Sequence, residues 1–199
     1  MKRALDLVLS AAGLVASAPV WIVLAAAIKL DDGGPVFFVQ ERVGKGGRVF
    51  TALKFRSMRP DAEAQSGALQ AAENDPRITR IGRLMRATAM DELPQLWNIL
   101  VGDMSFVGPR ALRPGEIESA GGALVRLEDV PGYEHRIRVQ PGLTGIAQIY
   151  APRDVGRRQK FRYDRLYVRN QSWGLDARLI LLSFWISFLG TWEARGRKY

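Results

Sequence analysis

Residues 7–28 carry no charge, and this run sits between Asp6 and Lys29. At ~1.5 Å per residue, a helix over the run matches a hydrocarbon core of ~30 Å. After it the pattern changes. In "PVFFVQERVGKGGRVFTALKFRSM" (35–58), Val36–Val39 and Val49–Leu53 favour strand and Gly44–Gly47 supplies a turn, so a β-hairpin is predicted. Residues 60–76 are polar and Ala/Gln/Glu-rich, a helix or loop. In 75–90, Ile78, Ile81, Leu84 and Met85 recur at helical spacing, with Arg77, Arg80, Arg83 and Arg86 opposite. "DELPQLWNIL" (91–100) reads as the first turns of another helix, with Asp91 as cap and Pro94 in the first turn. Residues 102–112 read as a loop with two glycines, and 139–150 as a turn-rich segment ending in a short strand or helix. Residues 157–171 are basic and aromatic. "WGLDARLILLSFWISFLGTW" (173–192) is an apolar helix, interfacial by its spread of Trp or else buried in a core. The chain shows no internal repeat.

Three readings fit the first apolar run. A cleaved signal peptide would use Lys2-Arg3 and the small residues Ala16-Ser17-Ala18, but Pro19 follows that site and the run continues beyond it. A plain transmembrane helix has the length, yet places basic residues on both sides of the bilayer. A re-entrant helix would break at Pro19, which lacks an N–H and clashes with the preceding turn, and would keep Lys2, Arg3 and Lys29 on one face. Ser17 could then satisfy a freed carbonyl. The residues alone leave the last two readings open.

Composition narrows the chemistry. The 199 residues are 47% hydrophobic and 25% charged, as expected of one folded unit rather than a disordered chain. The net charge of +9 favours anionic partners such as headgroups or phosphorylated substrates. With no cysteine and one histidine, His135, thiol chemistry and multi-histidine zinc sites are excluded, while oxygen chemistry with Mg²⁺ remains open.

Asp91-Glu92 is the candidate centre. A carboxylate at a helix amino terminus is held ionised by the dipole and backbone N–H groups, which suits it to bind Mg²⁺ or attack phosphorus. An ordinary N-cap has the same signature. Lys54, Arg56, Arg86 and Arg110 surround the pair in sequence, and four such cations suit a diphosphate.

"QERVG" (40–44), "KFRSM" (54–58), "DELPQLWNIL" followed by "GDMSFVGPR" (91–110), and "QPGLTG" (140–145) occur in order. With them the chain, from Lys2 to about Trp173, resembles the small monotopic phosphoglycosyl transferases, the bacterial sugar transferase family. The resemblance implies a predominantly α-helical α+β fold. Residues 1–30 would be a re-entrant membrane helix broken at Pro19, with Ser17 and Pro19 as its hinge. Residues 31–199 would be one catalytic unit on the cytoplasmic face of the bacterial inner membrane, with a small hairpin and interfacial amphipathic helices around the active site. It further implies transfer of a sugar-1-phosphate from a UDP-sugar to undecaprenyl phosphate, with release of UMP, at the first membrane step of glycan assembly. Asp91 would be the nucleophile and a ligand of Mg²⁺, the cofactor; Glu92 would be required beside it. Arg110 would bind the diphosphate and Arg86 would match the family's arginine ahead of the dyad. Partners would be the two substrates and membrane lipids, with no nucleic acid.

Two positions depart from the family pattern. Ala18, not serine, precedes Pro19, and Ala111, not proline, follows Arg110, which predicts a less rigid loop there. Rival readings are a membrane-attached polyanion binder without chemistry, and a Mg²⁺ phosphohydrolase of nucleotide sugars. His135 reads as a surface contact, Tyr163 and Tyr167 as packing residues, and Asp31-Asp32 as a solvated turn.

Overall fold

The computed structural model describes residues 2–62, 75–120, 123–152 and 155–192; most of the polar segment 60–76 lies outside them. Among the described residues the fold is mostly helical with three small two-stranded sheets. In order it comprises α1 (Lys2–Asp32), β1 (Phe37–Val43), β2 (Val49–Phe55), α2 (Arg80–Ala87), α3 (Gln95–Val101), β3 (Ser105–Val107), β4 (Ile117–Ala120), β5 (Ala123–Arg126), α4 (Tyr133–Arg136), β6 (Gly142–Thr144), α5 (Ile146–Tyr150), α6 (Arg157–Arg169) and α7 (Trp173–Leu189).

α1 is long and apolar enough to cross a bilayer, with Pro19 inside it. Its buried residues Asp6, Ser10, Leu24 and Ile28 lie on one helical stripe that faces the rest of the protein. Val8, Val15, Ile22 and Val23 point outward, each at least 66% exposed. Both ends are fastened. The Lys2 ammonium donates to Asp176 Oδ2 at 2.6 Å, Tyr167 Oη at 2.8 Å and the Val107 carbonyl at 3.0 Å. Asp6 Oδ1 accepts from Ser105 Oγ and the Phe106 N–H, both at 3.0 Å. Arg3 donates to the Ile99 carbonyl and, at 2.6 Å, to that of Leu100, both in the last turn of α3, where a cation is favoured. At the other end Asp32 holds Arg56, and Trp21 meets Phe55 edge-on at 5.3 Å. Pro19 frees the Val15 carbonyl, but the Ser17 hydroxyl lies 3.4 Å from the Leu14 carbonyl and accepts from the Trp21 indole at 3.1 Å. The expected partner is therefore displaced by one residue.

The hairpin forms over the expected residues, with a 3-10 turn at Lys45–Gly47. Its register sets Lys54 opposite Phe38, Ala52 opposite Gln40 and Phe50 opposite Arg42. Facing residues of an antiparallel pair share a side, so Lys54, Gln40 and Arg42 emerge together. The outer edge of β2 is clamped by Asn98, which accepts from the Leu53 N–H at 3.0 Å and donates to the Thr51 carbonyl at 2.8 Å.

The segment 102–112, read from sequence as loop, contains β3, which pairs in parallel with β6. Their backbones nearly touch where the strands end: a Cβ at Gly108 would sit 2.3 Å from the Gln140 carbonyl oxygen. Only glycine fits there. The hairpin β4–β5 was not legible in the sequence. The helical spacing expected over 78–85 is corrected at two positions: Ile78 precedes α2 and bridges to Met58, and Leu84 is 56% exposed, whereas Met85 is buried. α7 is neither wholly buried nor wholly free. Asp176, Leu179 and Ile186 are buried, while Leu181, Phe184 and Phe188 are at least 66% exposed.

Candidate functional site

The acidic pair lies where α2 stops and α3 has not begun. Thr88 ends α2, and Ala89 then takes a left-handed conformation (φ 57°), the one non-glycine residue with positive φ among those described. Such a conformation in a residue with a Cβ costs about 1–3 kcal/mol and persists only where the surroundings impose it. Here Trp192, beyond α7, donates its N–H to the Ala87 carbonyl at 3.1 Å and pins the turn from outside. Met90–Glu92 form a single 3-10 turn, and Pro94 occupies the cap position of α3. This corrects the sequence expectation: Asp91 is not the cap of the following helix.

It also corrects the expected electrostatics. Asp91 is 8% exposed. Burial pushes its pKa up to about 6; Lys54 opposes that rise and Glu92 adds to it. Arg86 and Arg110 also favour its charge. Glu92 is held in the opposite sense. Burial works against its charge, but Lys54 and Arg110 outweigh burial and keep it well below the usual carboxylate range. Glu92 Oε1 accepts from both Lys54 Nζ and, at 3.0 Å, Arg110 Nη2. The two neighbouring carboxylates therefore differ: Glu92 is a fixed anion already spent on two cations, and Asp91 is poised to change charge.

Of the four cations singled out from sequence, the structure brings Lys54, Arg86 and Arg110 to the pair. Arg56 is turned elsewhere. It is buried, and its guanidinium holds Asp32 and, at 2.5 Å and 3.0 Å, the carbonyls of Pro35 and Met58. Asp31-Asp32, expected as a solvated turn, are instead the last residues of α1, with Asp31 accepting from the Ile81 N–H at 3.3 Å. His135 sits half-exposed against Glu134. Tyr167 is buried and donates to the Val107 carbonyl at 3.0 Å and Asp176 Oδ1 at 2.9 Å.

Sequence reasoning passed over two further arginines that hold the Arg110 loop. Arg42 donates to the Ala111 carbonyl at 3.0 Å. Arg136, paired with Asp164 at 3.1 Å, donates to the Arg110 carbonyl. Where a second proline was missed after Arg110, two guanidiniums grip the backbone instead. Arg42 had a signal: it lies two residues from Gln40 and twelve from Lys54, on the same hairpin face. Arg136 had none, because its partner is distant in sequence.

Asp91, Glu92, Lys54, Arg86 and Arg110 line an open cleft of about 1350 Å³, to which α1 and α7 also contribute apolar side chains such as Leu9, Val20, Ile180 and Phe184. As for a metal, the described residues contain no cluster of three or more acidic or histidine side chains. A hard cation there would depend on Asp91 and on oxygens brought by a ligand, which is the usual manner of Mg²⁺ beside phosphates. The donor chemistry fits that ion.

A family model described as "Bacterial sugar transferase" matches residues 1–190. The chain is 45% identical over 185 residues to an exopolysaccharide production protein, PSS, of Rhizobium leguminosarum bv. phaseoli, covering 90% of this chain and 91% of that one. It is 46% identical over 189 residues to an undecaprenyl-phosphate glucose phosphotransferase of Komagataeibacter xylinus, covering 92% of this chain and 35% of that protein. It is also 38% identical over 183 residues to a UDP-N-acetylgalactosamine-undecaprenyl-phosphate N-acetylgalactosaminephosphotransferase of Aeromonas hydrophila, covering 90% and 42%. The chain thus spans well under half the length of these two transferases.

Proposed function

Because the chain belongs to the bacterial sugar transferase family, we propose that it transfers a sugar-1-phosphate from a UDP-sugar to undecaprenyl phosphate, releasing UMP, in exopolysaccharide assembly. One observation carries this reading. A buried carboxylate with a raised pKa, Asp91, sits beside a fixed anion and three cations in a cleft that apolar side chains of α1 and α7 also line. A hydrophilic diphosphate and a lipid phosphate can both reach such a point.

In the first step an Asp91 oxygen attacks the phosphorus that bears the sugar. The bond from that phosphorus to the UMP oxygen breaks, and UMP leaves with the electron pair. In the second step an oxygen of undecaprenyl phosphate attacks the same phosphorus and displaces Asp91, giving the polyprenyl-diphosphate sugar. A diphosphate bond is lost and another formed, so the transfer is close to balanced. Arg110 and Arg86 neutralise charge on the transferring group. Lys54 holds Glu92 ionised, and Glu92 in turn orients Arg110 toward the phosphates. Mg²⁺, held by Asp91 and diphosphate oxygens, would act as a Lewis acid on the phosphoryl group.

The same reading assigns α1 a path into and out of one membrane leaflet. Lys2 and Arg3 at one end and Asp32 at the other are bonded to the same folded unit. A helix docked at both ends on one body cannot carry those ends to opposite sides of a bilayer. Its outward apolar face, with Ala18-Pro19 exposed near the middle, is the part available to lipid. The catalytic unit would then lie on the cytoplasmic face.

The test is UMP release from a panel of UDP-sugars with Mg²⁺, with and without undecaprenyl phosphate, in detergent. Lipid-dependent release that vanishes in Asp91→Asn is the expected result. Release without lipid would favour a hydrolase. Absence of release from every donor, with binding retained in Asp91→Asn, would favour a polyanion binder.

A further inference from the structure

The end of α2 is closed by a residue from beyond α7. A helix leaves its last carbonyls without partners of its own. Those of Leu84 and Met85 accept from Thr88, and that of Arg86 accepts from the Ala89 N–H at 3.4 Å. The Ala87 carbonyl is taken by the Trp192 N–H at 3.1 Å. Ala89 is the residue just past the cap, Thr88. That place favours the left-handed conformation and is usually filled by glycine, which adopts it freely. Alanine does not, so Ala89 has to be held there, and from it the chain turns into Met90–Glu92.

The Trp192 N–H is itself placed by α7. Gly190 ends that helix in a left-handed conformation (φ 65°), and the N–H groups of Gly190 and Thr191 donate to the Ser187 and Ile186 carbonyls at 3.1 Å and 3.2 Å. The Trp192 indole donates to Ser187 Oγ at 2.8 Å, so main chain and side chain both fix the residue. α7 is a strut of 17 residues, about 25 Å long. Its start is fixed by Asp176 on Lys2 and Tyr167, and its middle by Ser183, whose hydroxyl meets that of Thr144 in β6. Its other end reaches the turn that carries Asp91. The match to the family model ends at residue 190, so the contact of Trp192 lies beyond it.

We infer that the segment after α7 is a latch for the nucleophile: Trp192, through its N–H on the Ala87 carbonyl, holds Ala89 left-handed and so sets the place of Asp91. Trp192 is a positioning residue, acting through the turn rather than on the substrate. The inference rests on the transferase reading above and adds what holds the nucleophile in register. Donor binding has separate support, because Arg42 and Arg136 grip the Arg110 loop.

Exchange of labelled UMP into the UDP-sugar reports the donor step and needs no lipid. Trp192→Pro removes the latching N–H and is expected to lower the maximal exchange rate about tenfold, with the donor KM within about twofold of the parent. Gly190→Val reaches the latch by another route, since a β-branched residue resists the positive φ that directs the chain into Trp192, and should give the same split. Trp192→Phe keeps the N–H and a ring, and should restore exchange toward the parent rate. Ala89→Gly added to Trp192→Pro is the suppressor: glycine takes the left-handed conformation without being held, so about threefold or more of the lost rate should return. Where Trp192→Pro does not fold, Gly190→Val with and without Ala89→Gly gives the same comparison. Unchanged exchange in the folded latch variants would overturn the inference. So would a raised donor KM at full maximal rate, which would assign the segment to donor binding, and so would a loss that Ala89→Gly does not relieve, which would make Trp192 a packing residue only. Absence of UMP exchange in the unmodified protein would instead bring down the transferase reading, and this inference with it.

Discussion

Lys2 and Asp176 are 174 residues apart in sequence, and their charged atoms lie 2.6 Å apart. The pair joins the first turn of α1 to the first turn of α7, and Tyr167 from α6 bonds to both partners. α1, α6 and α7 are thus referenced to one point beside Val107 of β3. Lys2→Met leaves Asp176 facing only the Tyr167 hydroxyl. The expected cost is about 1.5–3 kcal/mol, the range for a hydrogen bond to a charged group. A lowered thermal midpoint in detergent, with Lys2→Arg partly restoring it, checks this.

Asp91→Asn should abolish turnover while stabilising the fold. The folded protein holds the Asp91 proton more tightly than an unfolded chain does, since burial raises the pKa from 3.8 to about 6. Stability from this group is therefore fully present below its ordinary pKa and is lost as pH rises through about 6. The variant is expected to melt higher than the parent at pH 7.5, with the difference shrinking as pH falls toward 4. A variant that melts lower across the whole range would contradict the burial argument.

The donor half-reaction should follow the same ionisation. UMP exchange needs the Asp91 carboxylate, so its rate is expected to climb with pH through about 6 and then level off. Glu92 lies well below the usual range and adds no further step there. Exchange that is flat from pH 5 to 8 would remove Asp91 ionisation from the rate.

Lys54→Met deprives Glu92 of one of two cations and removes the charge closest to Asp91 in effect. Two outcomes are expected together: about 1.5–3 kcal/mol lower stability, and a midpoint of the exchange profile moved to higher pH. Lys54→Arg should return the midpoint toward the parent value. A loss of stability with an unmoved midpoint would make Lys54 structural only.

Gly108→Ala tests how the Arg110 loop is placed. The added methyl would sit 2.3 Å from the Gln140 carbonyl oxygen, backbone against side chain, with no flexible group to yield. Separation of β3 from β6 is expected to cost about 3 kcal/mol, the upper part of the overpacking range. Donor KM should rise as Arg110 shifts. The unfolding midpoint and donor KM, measured on the same preparation, give both readings.

The hairpin was legible in the sequence because Gly44–Gly47 lies between two runs of β-branched and aromatic residues, and that local chemistry fixes both strands and their register. The charge-free run was legible as one long helix for a similar reason: its composition leaves the backbone no other way to satisfy itself in an apolar setting. Asp91-Glu92 was singled out by its place at an expected helix start, by the cations around it and by the resemblance that 91–110 carries. What that reading missed was the local geometry, since a pattern of residue types cannot distinguish a helix cap from a buried 3-10 turn reached through a left-handed Ala89.

By itself the sequence determined the long apolar helix α1, the hairpin that carries Lys54, and the side chains available for phosphate chemistry. These follow from periodicity and residue type over a few neighbouring positions. Only the tertiary structure decided that Arg56 serves Asp32 while Arg42 and Arg136 hold the Arg110 loop. Only it decided that Asp91 is buried enough for its pKa to rise while Glu92 beside it falls. Both outcomes depend on which charges are brought within a few ångströms of one another and how much water is excluded, and those distances are set by contacts between segments far apart along the chain.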